Sequence, residues 1–215
     1  MIRSFSEYSN SGKLMLLVSV MTAVPLLMIL FYPGDAVYAV CFIVPCAVSG
    51  GIGLLVCLFG GRENITDSRR RISFQKSSMT VLFIWLWGIL AGAVPFVIGG
   101  QLNFVQGMFE SVSGWTTTGL SVMEVDKTPH IFLFYRSFMQ YCGGLGFVMM
   151  MIMLVAGKQS MDLFNAEGHP DKLMPNLKKT AQTIFIMYNS FLAVGTAAYC
   201  LAGMDLFDAV THRCV

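Results

Sequence analysis

Apolar residues fall along this chain in long blocks separated by short polar or basic stretches. The blocks run from Leu14 to Tyr32, Val37 to Phe59, Met79 to Ile98, the residue after Pro129 to Val155, and Ala181 to Leu201. A helix crosses the hydrocarbon core of a bilayer in about 20 residues, and each block is near that length. A water-soluble protein would lay its apolar residues in stripes along otherwise polar helices. The pattern therefore predicts five transmembrane helices. Pro33-Gly34 and Gly99-Gly100 mark turns, and Pro129 suits the first turn of the fourth segment. Pro25, Pro45 and Pro95 lie in or near segment ends, where neighbouring groups can satisfy the freed carbonyls.

One stretch breaks the alternation. Between the third and fourth segments the chain reads QLNFVQGMFESVSGWTTTGLSVMEV. Its Asn103 to Ser113 portion has the pattern of a short amphipathic helix. About eleven residues at 1.5 Å each cover ~16 Å, half the hydrocarbon thickness. Such a segment can enter the membrane and must return. Non-helical backbone at that depth is tolerated only where protein shields it or where it lines a watery path. Helix, half-helix, polar loop and helix together make a pore-loop unit.

Composition reinforces the membrane reading. Of the 215 residues, 55% are hydrophobic and only 12% are charged, where soluble domains carry about 25% charged residues. The net charge of +2 excludes bulk basicity of the kind that binds nucleic acid. The basic residues cluster: Arg3 and Lys13; then Arg62, Arg69, Arg70, Arg71 and Lys76; then Lys158, Lys172, Lys178 and Lys179. With the N-terminus in the cytoplasm, all three clusters fall on the cytoplasmic side. The six cysteines, Cys41, Cys46, Cys57, Cys142, Cys200 and Cys214, form no CxxC pair and read as small core residues. The first block lacks a small-x-small cleavage site and reads as a retained helix.

The candidate site is Gly114-Trp115-Thr116-Thr117-Thr118-Gly119-Leu120-Ser121. A dehydrated potassium ion needs oxygens in place of its water, and ion filters supply backbone carbonyls. Gly119 permits the positive φ that such a backbone requires. Threonines stiffen it and add hydroxyl acceptors. The half-helix points its negative end at a cation in the membrane. TTTG by itself is also common in ordinary turns, so the filter reading rests on its setting. Glu110 and Arg136 are ionisable groups inside the membrane region, where charges are costly and usually paired. A Glu110–Arg136 contact, or nearby polar contacts, that pins the half-helix to the following helix is expected, and it ranks ahead of direct ion handling. Gly143, Gly144 and Gly146 are expected to let another helix approach closely, with a hinge as the alternative. Arg69 to Arg71 mark the cytoplasmic side and face lipid headgroups, or else dock a regulatory subunit. His130, His169 and His212 are isolated and receive no chemistry.

The chain also repeats weakly. Residues 202–215, AGMDLFDAVTHRCV, align with residues 99–112, GGQLNFVQGMFESV, when Phe104 is set against Phe207. A counterpart of Thr116 would fall just beyond Val215, so the sequence is expected to stop inside a second unit.

FESVSGWTTTGLS, the helix containing YRSFMQYCGGLGFVMMMIMLV, NAEG and GMDLFDA together resemble the membrane subunit of the Trk/Ktr potassium transporter family. More narrowly they resemble its TrkH-type members, in which two extra helices precede the first pore unit. The resemblance implies an all-α integral membrane protein. It divides into a two-helix segment (1–60), a basic loop (61–78), a first helix–pore loop–helix unit (79–156), a linker (157–178) and the start of a second unit (179–215). It implies a multi-pass membrane protein for potassium transport, potassium coordination at Thr116, Thr117, Thr118 and Gly119, and no cofactor. At full length it implies four such units around one pore, a homodimer and a cytoplasmic nucleotide-binding regulatory subunit. The later filters and the gating loop of a later unit are absent from this sequence, so a non-conducting subunit or a fragment needing further repeats is the rival. No G-x-x-x-x-G-K-[ST] loop is present, and a membrane-embedded enzyme, which would cluster His, Asp or Glu in the membrane, ranks last.

Overall fold

The computed structural model describes residues 10–59, 74–155 and 177–214. The described residues form helices α1 (Asn10–Ala23), α2 (Ala39–Phe59), α3 (Phe74–Ile98), α4 (Phe104–Trp115), α5 (His130–Val155), α6 (Leu177–Leu201) and α7 (Leu206–Cys214), with no strand among them. Arg3, the Arg62 to Arg71 cluster, Lys158, His169 and Lys172 lie outside the described residues.

The surface is apolar, unlike that of a soluble protein, and several polar groups are buried beside the apolar core. Leu17, Val20, Leu30, Leu54, Leu86, Phe191 and Val194 are exposed, whereas Ser19, Thr22, Ser49, Ser111, Glu110 and Arg136 are buried. Lipid solvates the first group without cost, and the second must find partners inside the protein. Gly12–Leu30, Pro33–Phe59 and Gln182–Leu201 are long and apolar enough to cross a membrane, and Leu82–Ile98 is a shorter apolar run. Helix α3 is 25 residues and α5 26 residues long. At 1.5 Å per residue each is ~37–39 Å, long enough to span.

Helices α1, α3 and α6 begin ahead of the apolar blocks read from the sequence, at Asn10, Phe74 and Leu177. Hydropathy marks the hydrocarbon, and a helix continues past it into the headgroup region. The first block is also not one α-helix. It stays α-helical to Ala23 and tightens into a 3-10 helix over Val24–Leu30. Pro25 lacks an N–H and its ring crowds the preceding turn, which favours the change. A second 3-10 helix, Pro33–Tyr38, leads into α2. Pro45 and Pro95 stay inside α2 and α3. Pro129 stands just before α5 rather than in its first turn, and its carbonyl accepts from the amides of Phe132 and Leu133.

Hydroxyls join the leading helices. Ser19 donates to the Cys46 carbonyl at 2.7 Å, Ser49 donates to the Met15 carbonyl at 3.0 Å, and Trp87 Nε1 donates to Ser49 Oγ at 2.9 Å. Gly12 and Gly53 let the α1 and α2 backbones come close: a Cβ on Gly12 would stand 2.9 Å from the Gly53 carbonyl oxygen. Small residues and buried hydroxyls are the usual means of joining helices where lipid removes the hydrophobic drive. The core beside the site is aromatic, with Phe42, Phe96, Phe132 and Tyr135 almost fully buried.

Candidate functional site

Helix α4 is a half-helix of 12 residues. Asn103 starts it: its side chain accepts from the Gln106 amide at 2.9 Å, and Gln106 Oε1 accepts from the Asn103 amide at 3.1 Å. This reciprocal capping box satisfies two of the orphan donors of the first turn. Against the Asn103 to Ser113 segment read from sequence, the helix begins one residue later, at Phe104, and ends two residues later, at Trp115.

Its depth follows from its neighbours. Gly107, near its start, faces Ala93 and Val97 close to the end of α3. Trp115, at its end, lies against Gly88 and Gly92 and against Gly143 of α5. Gly88 and Gly143 are both near the middle of their helices, so α4 descends halfway and stops. The chain then doubles back. Leu120 comes beside Ser113, whose hydroxyl donates to its carbonyl at 2.5 Å, and Val122 comes beside Glu110. The return limb thus runs antiparallel to α4 and reaches the Val125–Lys127 turn ahead of α5.

Thr116 to Gly119 form the tip of this re-entrant loop. Thr116, Thr117 and Thr118 donate their amides to the carbonyls of Val112, Gly114 and Ser113, which closes the last turn of α4. Thr116 Oγ1 lies 2.8 Å from Thr118 Oγ1 and donates to the Val112 carbonyl at 2.8 Å. Gly119 has φ of 79°, and Thr117 has φ of 57°. Positive φ at Gly119 accords with the reason given for a glycine there. At a β-branched residue it is an outlier that the surroundings must hold, and no feature of the sequence announced it. The three threonines are exposed and Gly119 is half-buried. Among the described residues, the carbonyls of Thr116, Thr117, Thr118 and Gly119 accept no hydrogen bond.

Behind the tip lies a buried ionic cluster. Arg136 Nε donates to Glu110 Oε2 at 2.8 Å. The side chains are 5% and 0% exposed, which makes a lone charge at either position very costly. Arg136 Nη1 donates to Gln140 Oε1 at 2.8 Å, and Nη2 donates to Ser113 Oγ at 3.0 Å and to the Leu120 carbonyl at 3.3 Å. Glu110 Oε1 accepts from Ser121 Oγ at 2.7 Å and from the Val122 amide at 2.5 Å. Sequence reasoning paired Glu110 with Arg136 and missed Ser113, Gln140 and Ser121. Gln140 was legible as the i+4 neighbour of Arg136. Ser121 stood in the candidate stretch, but nothing in the pattern marked it or Ser113 as a partner of the ion pair.

The three glycines of α5 differ. A Cβ on Gly143 would collide with the Trp115 carbonyl, so this glycine receives the end of the half-helix rather than the side of a transmembrane helix. A Cβ on Gly144 would stand 2.8 Å from the Tyr188 hydroxyl of α6 and 3.6 Å from Thr117 Cγ2. Gly146 has nothing within 4 Å, so among the described residues no packing requires it. His130 is not isolated: it stacks on Tyr32 with ring centroids 4.2 Å apart and meets Phe207 edge-on at 5.0 Å. Asp35, in the 3-10 helix Pro33–Tyr38, caps α5 by accepting from the Ile131 amide at 2.9 Å.

The repeat has a structural counterpart. Gly100 ends α3 with φ of 65° and Gly203 ends α6 with φ of 96°. In both places the residue after the glycine donates back five residues, Gln101 to Phe96 and Met204 to Tyr199. A short helix follows each, α4 and α7.

Fold and site together define an α-helical membrane protein with a re-entrant pore loop. The family model for TrkH, a cation transport protein, matches residues 52–212. The TrkH potassium uptake protein of the Trk system from Vibrio parahaemolyticus is 34% identical over 212 residues, covering 94% of this chain and 42% of that protein. The TrkG potassium uptake protein of Escherichia coli is 30% identical, again with 94% of this chain and 42% of the relative covered. The crystal structure of the potassium transporter TrkH from Vibrio parahaemolyticus superposes with a TM-score of 0.72 at 28% identity, over 94% of this chain and 40% of that one. The chain belongs to the TrkH family. It spans about two fifths of the length of these relatives.

Proposed function

We propose that this chain supplies part of a potassium path across the cell membrane and that the carbonyls of Thr116, Thr117, Thr118 and Gly119 coordinate the ion. One observation carries this reading: these carbonyls lie at the turning point of a half-depth loop and accept no internal hydrogen bond among the described residues. Unsatisfied backbone at that depth is stable only beside water or an ion. The threonines stiffen the tip, and the C-terminal end of α4 adds its negative dipole end. The relatives named potassium uptake proteins agree with that chemistry.

A single loop reaches an ion from one side only. The relatives are more than twice as long, and the remaining oxygens come from other loops of a longer polypeptide. The chain lies in the inner membrane with its N-terminus cytoplasmic, as the Lys and Arg clusters favour. In the assembled transporter it works as a homodimer with a cytoplasmic nucleotide-binding regulatory subunit. It performs no covalent chemistry and needs no cofactor beyond the transported potassium.

Uptake of rubidium, a potassium surrogate, by cells lacking their own potassium uptake systems tests the reading. Expression of the assembled transporter that contains this chain restores uptake, and Gly119→Ala in it abolishes uptake at equal membrane abundance. Undiminished uptake by Gly119→Ala would refute the assignment of the loop.

A further inference from the structure

We infer that Arg136, Glu110 and Ser113 are positioning residues that set the cation preference of the loop by fixing where its free carbonyls end. The inference rests on the reading of Thr116 to Gly119 as a cation site. An ion pair that merely joined α4 to α5 would need no contact with the loop. This pair grips the return limb at successive points. Arg136 Nη2 and Ser113 Oγ both donate to the Leu120 carbonyl, at 3.3 and 2.5 Å, while Glu110 holds Ser121 Oγ and the Val122 amide.

Two donors on one carbonyl fix its direction. The Leu120 oxygen is turned back toward α4 and α5, whereas the four carbonyls before it accept nothing among the described residues. The boundary between ion-facing and protein-facing oxygens therefore falls between Gly119 and Leu120, where φ of 79° at Gly119 reverses the chain. Discrimination between potassium and the smaller sodium depends on the number and placement of carbonyl dipoles. A limb free to slip would move that boundary and admit other geometries.

The chemistry of the pair suits this task. Arg136 uses its fork to reach Glu110, Gln140, Ser113 and Leu120 at once, which a lysine ammonium cannot span. The Glu110 carboxylate, fully buried and engaged by Arg136, Ser121 and Val122, is occupied as a backbone clamp. It is not a ligand to the ion.

The test uses the assembled transporter that contains this chain, in liposomes, with rubidium and sodium uptake measured beside deuterium exchange over Thr116 to Val122. Arg136→Lys retains the charge, and Ser113→Ala retains both charges while removing one donor to Leu120. Ser137→Ala, whose hydroxyl bonds the Leu133 carbonyl of its own helix at 3.1 Å, is the control. Both brace variants are expected to speed exchange in the segment and to lower the rubidium-to-sodium ratio about tenfold, the scale of one lost charge-assisted bond, with Ser137→Ala unchanged. Faster exchange with an unchanged ratio would make the cluster architectural only and overturn the inference, as would no change in either quantity. If the unsubstituted protein carries neither ion, the transport reading fails separately; the brace then stands if exchange rises in both variants and falls if it does not.

Discussion

The carbonyl of Trp115, the last residue of the half-helix, is seated on Gly143 at the middle of α5, where a methyl group would occupy the same space. Backbone meets backbone there, so no side-chain rotation can relieve a collision. Gly143→Ala should therefore cost at the upper end of the overpacking range, about 3 kcal/mol, and displace the end of α4. Gly146→Ala, with nothing within 4 Å among the described residues, should change stability by less than about 0.5 kcal/mol. Thermal unfolding of both variants in the same detergent checks the contrast, and equal losses would show that Gly143 is not the seat of the half-helix.

Strain at the loop tip makes a second prediction. Thr117 holds φ of 57° although it is β-branched, and asparagine tolerates that region far better. Thr117→Asn should raise stability by about 1 kcal/mol while reducing rubidium uptake, because the hydroxyl and the stiffness of the tip are lost. A stabilised variant with full uptake would show that the strain has no part in ion handling.

The paired glycines at the ends of α3 and α6 provide a third. Gly100 and Gly203 have φ of 65° and 96°, and among the described residues neither has a neighbour that a Cβ would strike. Alanine at either position should therefore cost about 1 kcal/mol through backbone conformation alone, and by similar amounts. Unequal losses in chemical unfolding would count against the two turns being equivalent halves of a repeat.

Breaking the buried pair should be severe. Arg136→Gln leaves Glu110 enclosed without a cation, at a cost of about 3–5 kcal/mol, and should reduce the amount of folded protein in the membrane. Glu110→Gln combined with Arg136→Gln should recover part of that loss, because no uncompensated charge remains. Fluorescence-detected size exclusion of the single and double variants measures it, and a double variant no better than the single would contradict the pairing argument.

Much of this architecture was legible in the apolar blocks. Bilayer thickness is a fixed ruler, so segment length separates a spanning helix from the half-helix of 12 residues. Glu110 and Arg136 stood out because charge is rare in such company, and the fold brings them to 2.8 Å. What escaped depends on contacts between distant segments. The Asp35 cap on Ile131 joins residues far apart in the chain. The approach of Trp115 to Gly143 depends on how deep α4 descends. The left-handed Thr117 contradicts its own local preference, so no propensity argument reaches it. The 3-10 stretch from Val24 to Leu30 escaped because Pro45 and Pro95 sit in α-helix undisturbed, and proline alone does not say which helix will yield.

The most direct measurement is solid-state NMR of the protein in lipid, with isotope labels on the backbone carbonyls of Thr116 to Leu120. Exchanging sodium for potassium should shift the signals of Thr116, Thr117, Thr118 and Gly119 and leave Leu120, held by Ser113 and Arg136, unmoved. Identical spectra in the two salts would contradict coordination by this loop.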